Sequence, residues 1–245
     1  MLLIVTPNYK GEVPILSKTA AILGWDVYNQ GWRVPEHLLK ERGAVYGEQF
    51  FCEVIAEQMG WKLLNNRLDW LTTLPEEYVS RKIEFMTMSE ARKIRTEKFI
   101  KPADDKCFES RIYANGDLLP KTDVLDDAPT IVSDVMKFTS EYRCFIKDRS
   151  VISMCCYLYK DYTASEPDIN KPERYSANSE AVIEFVTRML LDERVDCVPG
   201  SVIDIGRFKK DTYAVIESNP VYASGLYGCD TVASLAAIKA GCISE

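Results

Sequence analysis

The hydrophobic pattern changes character about a third of the way along the chain. Leu2–Thr6 is a short, largely apolar run of the kind that forms a buried strand. After Pro7 and Gly11, residues Ile15, Leu16, Thr19, Ala20, Ile22 and Leu23 recur at helical spacing, and Gly24 offers the stop. Trp25–Tyr28 reads as a second strand. Tyr46, Phe50, Phe51, Val54 and Ile55 suggest a second helix ending near Gly60, with Trp61–Leu64 as the next strand. Strand and helix alternating in this way predict parallel βαβ units, and hence a small Rossmann-like N-terminal lobe.

From Leu74 to Ile94 the pattern is mixed, with helices expected at Pro75–Arg81 and around Ser89–Ile94, and the stretch reads as a linker. Strand-like runs then follow at Lys98–Ile100, Glu109–Tyr113, Thr130–Val135, Tyr142–Ile146, Val151–Tyr159, Ser201–Ile205 and Tyr213–Glu217. Helical spacing returns at Ala181–Leu191 and Thr231–Lys239, and the polar segment Lys160–Ser179 reads as a surface loop. This second region is α+β with many antiparallel pairs, and there is no internal repeat or low-complexity tract.

Composition narrows the class. The 245 residues are 47% hydrophobic and 27% charged, as in a globular protein able to bury a core without disulfide staples. Lys plus Arg total 30 against 37 Asp plus Glu, a net charge of −7 that disfavours nonspecific binding to nucleic acid or an anionic membrane. His37 is the sole histidine, so a His pair or three-His metal site within one chain is excluded. The eight cysteines form no CxxC, and several lie in apolar stretches where free thiols act as small hydrophobes. The apolar N-terminal run is too short for a signal peptide, and no run approaches a membrane span. The expectation is a reduced, cytoplasmic, soluble protein.

Three constellations carry candidate chemistry. Asp204 and Glu217 each lie in an otherwise aliphatic strand, with Arg207-Phe208-Lys209-Lys210-Asp211 between them as a hairpin turn. Antiparallel pairing would bring the two acids together, and Asn219 shares the face of Glu217. Two carboxylates and an amide offer only oxygen donors, which suits Mg²⁺; the alternative is a pair of solvated strand-end acids. Lys101 ends a strand and Lys106 sits in the polar loop after it, so both could reach phosphates as point charges, or simply be solvated. Glu141 and Arg143 share a face at the start of a strand that follows the acid Asp134, where an ordinary ion pair is the plain alternative.

Together these segments resemble the ATP-grasp superfamily, and within it the small clade named for one Arg and two Lys. The resemblance rests on Phe99-Ile100-Lys101-Pro102, Asp105-Lys106-Cys107-Phe108, Glu141-Tyr142-Arg143, Asp204 and Glu217-Ser218-Asn219-Pro220, across about residues 97 to 230. Asp204 and Glu217 are thirteen residues apart and Asn219 follows two later, similar to the metal triad of D-alanine–D-alanine ligase-like enzymes. Asp134 and Glu141, seven apart, resemble an adenine-hinge acid and a ribose-binding Glu. One departure is plain: Ala103–Phe108 stands where a Gly-rich loop usually covers the phosphates, and it contains no Gly.

The resemblance implies two α+β lobes clasping ATP, a small one over about 81–136 and a large one over about 137–245, preceded by the Rossmann-like lobe over 1–80. It implies ATP and Mg²⁺ as cofactors, with two ions and Mn²⁺ as a substitute. Asp204, Glu217 and Asn219 would hold metal, while Lys101, Lys106, Asp134, Val135, Met136 and Glu141 would bind ATP. Arg143 would act on the transferring phosphoryl group. Ser224 and Gly225 belong to Ser224-Gly225-Leu226-Tyr227-Gly228, which resembles the substrate loop of peptide-type ligases and is otherwise a turn before the last helix. Tyr157 would line the acceptor pocket, unless it only packs the sheet. The implied reaction joins a carboxylate of an amino acid or peptide to an amine through an acylphosphate, in a monomer or homodimer. Transfer to a hydroxyl acceptor and a non-catalytic nucleotide-binding module remain as alternatives.

Overall fold

The computed structural model describes residues 1–7, 11–104, 107–159, 162–163 and 179–244. Its N-terminal part is a three-stranded parallel sheet built from β1 (Leu2–Val5), β2 (Asp26–Tyr28) and β3 (Gly43–Tyr46), in the order β2-β1-β3. All four β1 residues are buried, as expected for a central strand covered on both faces. Helices α1 (Glu12–Ile22) and α2 (Gln49–Met59) pack beside it, and Gly60 closes α2 in a left-handed conformation.

The third parallel strand differs from the sequence reading. It is Gly43–Tyr46, so Tyr46 belongs to a strand and not to the second helix. Only a short 3₁₀ turn, Glu36–Leu38, lies between β2 and β3, where the βαβ pattern calls for a helix. Gly43 is required by close approach, since a Cβ there would lie 1.8 Å from the Leu2 carbonyl oxygen. The run Trp61–Leu64 yields just β4 (Lys62–Leu63), which pairs antiparallel with β14 (Cys242–Ile243) instead of extending the parallel sheet.

A four-stranded antiparallel sheet follows. Its strands are β5 (Ile83–Thr87), β6 (Lys98–Pro102), β7 (Arg111–Tyr113) and β8 (Pro129–Ser133), in the order β5-β8-β6-β7. The stretch read as a linker therefore contributes an edge strand. Of the short helices here, α3 (Trp70–Thr73) and α4 (Glu76–Val79) bury Trp70, Leu71, Tyr78 and Val79 in the core of the largest sheet, and α5 (Met88–Ala91) packs against this one. Helix α5 begins with a capping box between Thr87 and Glu90. Met88, Ala91, Ile100, Tyr113, Leu119 and Val132 form the core on this side of the sheet.

The largest sheet has five antiparallel strands. They are β9 (Ser140–Lys147), β10 (Ser150–Tyr159), β11 (Tyr162–Thr163), β12 (Gly200–Lys209) and β13 (Thr212–Asn219), in the order β11-β10-β9-β12-β13. The hairpin between β12 and β13 is tighter than expected. Pairing runs to Lys209 opposite Thr212, leaving Lys210 and Asp211 as the turn, with Asp211 at φ 52. Of the segment read as a loop, residues 160, 161 and 164–178 lie outside the described residues.

Alternation along β9 divides this sheet between two cores. Tyr142, Cys144 and Ile146 join Ile203 and Ile205 under α6 (Ser179–Leu191), which buries Val182, Phe185, Val186, Met189 and Leu190. Phe145 and Val202 face the other way, against α7 (Thr231–Ala240) and the N-terminal sheet. The N-terminal strands and the C-terminal helix thus share one core, and a side chain from α1 can reach the loop before α7.

Candidate active site

Strand register assembles the site. β12 and β13 place Asp204 opposite Glu217, and β12 and β9 place Asp204 opposite Arg143. The extra residue Ile216 forms a bulge beside Glu217, and Tyr157 is the extra residue in β10 opposite Tyr142 and Glu141. Asn219 closes the acidic group, its Nδ2 donating to Asp204 Oδ2 at 3.2 Å and Glu217 Oε1 at 2.9 Å. The expected triad therefore converges. From the four-stranded sheet, the Lys101 ammonium ion-pairs with Glu217, so the site lies between two sheets.

Arg143 is held in a two-pronged contact. Its Nε donates to Asp204 Oδ1 at 3.0 Å, Nη2 to Oδ2 at 2.7 Å, and Nη1 to the Gly225 carbonyl at 3.0 Å. Its guanidinium carbon lies 4.5 Å from the Tyr227 ring centroid and 5.6 Å from that of Tyr157, and the two rings stack at 5.2 Å. Glu141 is not its partner; that carboxylate accepts the Tyr157 hydroxyl at 2.6 Å.

Burial and pairing pull the acids in opposite directions. The Asp204 side chain is 1% exposed, and burial pushes its carboxyl up to about 6 against the pull of Arg143. The paired guanidinium keeps it ionised at neutral pH, and the Asp204 carboxylate in turn holds Arg143 above its usual range despite the burial of that guanidinium. For Glu217, burial works upward but Lys101 and the Asn219 amide outweigh it, leaving the carboxyl below its usual range. Burial raises Glu141, only partly offset by Tyr157. Among the described residues, three carboxylates (Asp204, Glu217, Glu141) thus face two cations, Lys101 and Arg143.

That balance and the donor set fit a hard cation. Asp204 and Glu217 both reach one amide nitrogen, and rotating the Asn219 amide would direct its oxygen to the same place. Among the described residues no group of three His, Cys, Asp or Glu could hold a metal; the oxygen that comes within reach of both carboxylates on that rotation is that of the Asn219 amide.

The other sequence-derived residues are distributed around this cluster. Asp134, Val135 and Met136 lie on the connection from β8 to β9, outside the hydrogen bonds described above. Asp134 accepts from Lys98 Nζ at 2.5 Å and the Lys82 backbone N–H at 3.2 Å, and the Lys98 bond lowers its carboxyl. Ser224 Oγ donates to the Pro220 carbonyl at 2.7 Å, while its own carbonyl accepts the Tyr46 hydroxyl at 2.9 Å. Lys106 lies outside the described residues. Two residues at the site are not singled out by the sequence: Tyr227, whose only signal is its place in the Gly-flanked loop, and Glu12, whose carboxylate accepts the Leu226 and Tyr227 backbone N–H groups and which has no signal.

Residues 78–237 match the family model of an ATP-grasp domain, the second family of the clade named for one Arg and two Lys, and the chain belongs to that family. No curated protein matches it. Among solved structures it is similar to the D-cycloserine synthetase DcsG at 12% identity, with a TM-score of 0.56 over 98% of this chain and 99% of that one. A RimK-domain ATP-grasp protein from Sphaerobacter thermophilus is 14% identical, with a TM-score of 0.54 over 98% of each chain. The ATP-grasp ligase PsnB, solved with a minimal precursor, Mg and ADP, is 14% identical, with a TM-score of 0.51 over 98% of this chain and 97% of that one. These likenesses establish the ATP-grasp fold.

Proposed function

We propose that the chain is an ATP- and Mg²⁺-dependent carboxylate–amine ligase acting on an amino acid or peptide. The observation that carries this reading is the convergence of Asp204, Glu217 and Asn219 from one sheet with Lys101 from another, beside the Arg143 fork. The family, and the Mg and ADP bound to PsnB, support ATP and Mg²⁺ as the cofactors. In this reading residues 1–80 form the preceding lobe, 81–136 the small ATP-grasp lobe and 137–245 the large one.

Mg²⁺, as two ions or with Mn²⁺ in its place, would neutralise the phosphate oxygens when held by Asp204, Glu217 and Asn219. Lys101 and Lys106 hold the α- and β-phosphates as point charges. Asp134, Val135 and Met136 border the adenine, and Glu141 takes the ribose. Arg143 stabilises charge on the γ-phosphoryl group as it moves from ATP to a carboxylate oxygen, and ADP leaves. The amine nitrogen then bonds to the acyl carbon, phosphate departs with the C–O electron pair, and the amine loses a proton. Ser224, Gly225 and Tyr157 border the reacting groups.

For Arg143 to act on phosphate it must loosen its hold on Asp204. Filling the cluster with a cation supplies the reason, because the carboxylate then has another positive partner. The test is to incubate the protein with ATP, Mg²⁺, hydroxylamine and a panel of amino acids and dipeptides. The expected product is a hydroxamate with matching release of phosphate. ATP consumption that phosphorylates a hydroxyl-bearing substrate without hydroxamate would replace the ligase with a phosphotransferase, and nucleotide binding without consumption would leave a binding module. Among the described residues no helix is long and apolar enough to cross a membrane, and we place the activity in the reduced cytoplasm.

A further inference from the structure

The carboxylate of Glu12, in the first turn of α1, is committed to the loop before α7. Its Oε2 accepts the Leu226 N–H at 2.6 Å and its Oε1 the Tyr227 N–H at 2.7 Å. One carboxylate spanning two successive backbone amides is the geometry by which a backbone nest holds an anion, and both distances are those of charge-assisted bonds.

Three features of the chain are fitted to this contact. Tyr227 is left-handed at φ 49, a conformation that is costly for a non-glycine residue and persists where its surroundings enforce it. A Cβ on Gly225 would lie 3.3 Å from both Glu12 Oε2 and the Tyr227 ring, a tight contact, so glycine at position 225 eases the approach of the carboxylate. The Tyr46 hydroxyl, which donates to the Ser224 carbonyl at 2.9 Å, also lies 3.4 Å from Glu12 Oε2. The N-terminal lobe thus grips the loop at two points, and the grip sets the Tyr227 ring against Arg143 and Tyr157.

A Gly-flanked loop of backbone N–H groups beside a ligase centre is suited to a substrate carboxylate. Here that place is filled from within. Arg143, the cation bordering the loop, is turned to Asp204 and the Gly225 carbonyl. We propose that Glu12 occupies the anion site of the Leu226–Tyr227 amides in place of an acceptor carboxylate, so that the acceptor is a primary alkylamine bearing no α-carboxylate. The acceptor class rests on the ligase reading; the internally filled anion site does not.

Amide resonances of the ¹⁵N-labelled full chain test the site without turnover. Sodium acetate and glycine should leave the Leu226 and Tyr227 resonances of the wild type unmoved. Both resonances should move in Glu12→Ala, and acetate should return them toward their wild-type positions in a saturable way. Glu12→Gln keeps the side-chain volume: both resonances should move, and acetate should not restore them. If Glu12→Ala does not fold, the wild type and Glu12→Gln still decide. Displacement of Glu12 by acetate or glycine in the wild type, or unmoved resonances in Glu12→Gln, would overturn the proposal.

The acceptor class is read separately, using the acid panel with propylamine or glycine as acceptor. An unpaired buried carboxylate predicts a kcat/KM at least about tenfold higher for propylamine. Equal or better use of glycine overturns the class. Absence of product with hydroxylamine as well would refute the ligase reading, while the resonance experiment would still judge the anion site.

Discussion

Replacing Arg143 with Ala separates its structural role from its chemical one. Its side chain is 9% exposed and that of Asp204 1%, and both carboxylate oxygens accept from the guanidinium. The substitution leaves Asp204 buried with the Asn219 amide as its remaining neighbour in this network. Removing one partner of such a buried pair costs about 3–5 kcal/mol. The loss should depend on pH. Burial already places the Asp204 carboxyl at about 6, above its ordinary 3.8, a difference worth about 3 kcal/mol. Because the folded value lies above the unfolded one, this contribution is full below the ordinary carboxylate range and is lost as pH rises through about 6. Without Arg143 the carboxyl rises further, and the window of loss extends upward with it. Urea unfolding followed by tryptophan fluorescence at pH 5 and pH 8 measures this for Arg143→Ala, Asp204→Asn and the double variant. Arg143→Ala should lose the stated amount at pH 8 and clearly less at pH 5, and Asp204→Asn should recover most of it in the double variant. ATP-dependent phosphate release, by contrast, should fall by roughly 10²-fold or more in Arg143→Ala, because no donor replaces the fork, and should stay down in the double variant, which also lacks the proposed metal ligand Asp204. A loss below about 1 kcal/mol at pH 8, or a double variant no more stable than Arg143→Ala, would refute the account of the pair.

Three further outcomes are expected. Glu217→Gln should abolish phosphate release over a full Mg²⁺ titration yet change stability by less than about 1 kcal/mol, since its pair with Lys101 is partly exposed; near-normal turnover would show the triad to be misassigned. Gly206→Ala should lower stability by about 1–3 kcal/mol in thermal or urea unfolding, because the new Cβ would lie 2.1 Å from the Phe138 ring; an unchanged melting temperature would contradict that packing. Alkylation of the denatured protein should count eight free thiols by mass, and in the native state Cys107, exposed where six of the others are buried, should react first; two or more native disulfides would overturn the reduced state.

What the sequence makes legible follows from the range over which each contact acts. The strands bearing Asp204 and Glu217 are recognisable because each is an aliphatic run interrupted by one acid, and hairpin pairing predicts that the two acids meet; the Arg143 strand shows instead as the apolar run Cys144-Phe145-Ile146 that follows Glu141-Tyr142-Arg143. Strand β3 was hidden because Gly43–Tyr46 ends just before α2, so Tyr46 fits the helical spacing of Phe50 and Val54 as well as it fits a strand. Strand β5 has Phe85 at 42% exposure among half-buried neighbours, so its alternation is blurred. Glu12 and Leu226 are 214 residues apart, and neither position carries a local signal of the other.

The partner of Arg143 shows where same-strand reasoning stops. Glu141 and Arg143 do share a face of β9, and an ion pair between them is the obvious local reading. Residues two apart on one strand are separated by roughly 6.5–7 Å, however, whereas directly opposed residues on neighbouring strands stand about 4.5–5.5 Å apart. Because β9 lies inside the sheet, Arg143 has a neighbour on each side: Cys155 on β10 and Asp204 on β12. The nearer, more deeply buried carboxylate takes the guanidinium, and Glu141 turns to the Tyr157 hydroxyl presented by the β10 bulge. The result is a line of acidic and basic groups running across the strands from Glu141 to Lys101. Arg143 stands at its centre, held by Asp204 and by the Gly225 carbonyl of the loop that Glu12 grips. Any charge that enters at the Asp204–Glu217 end therefore acts directly on the residue that touches the loop. In the proposed reading, metal and nucleotide binding and acceptor placement would be coupled through this one guanidinium, which is why the Arg143 variants must be read for stability and turnover together.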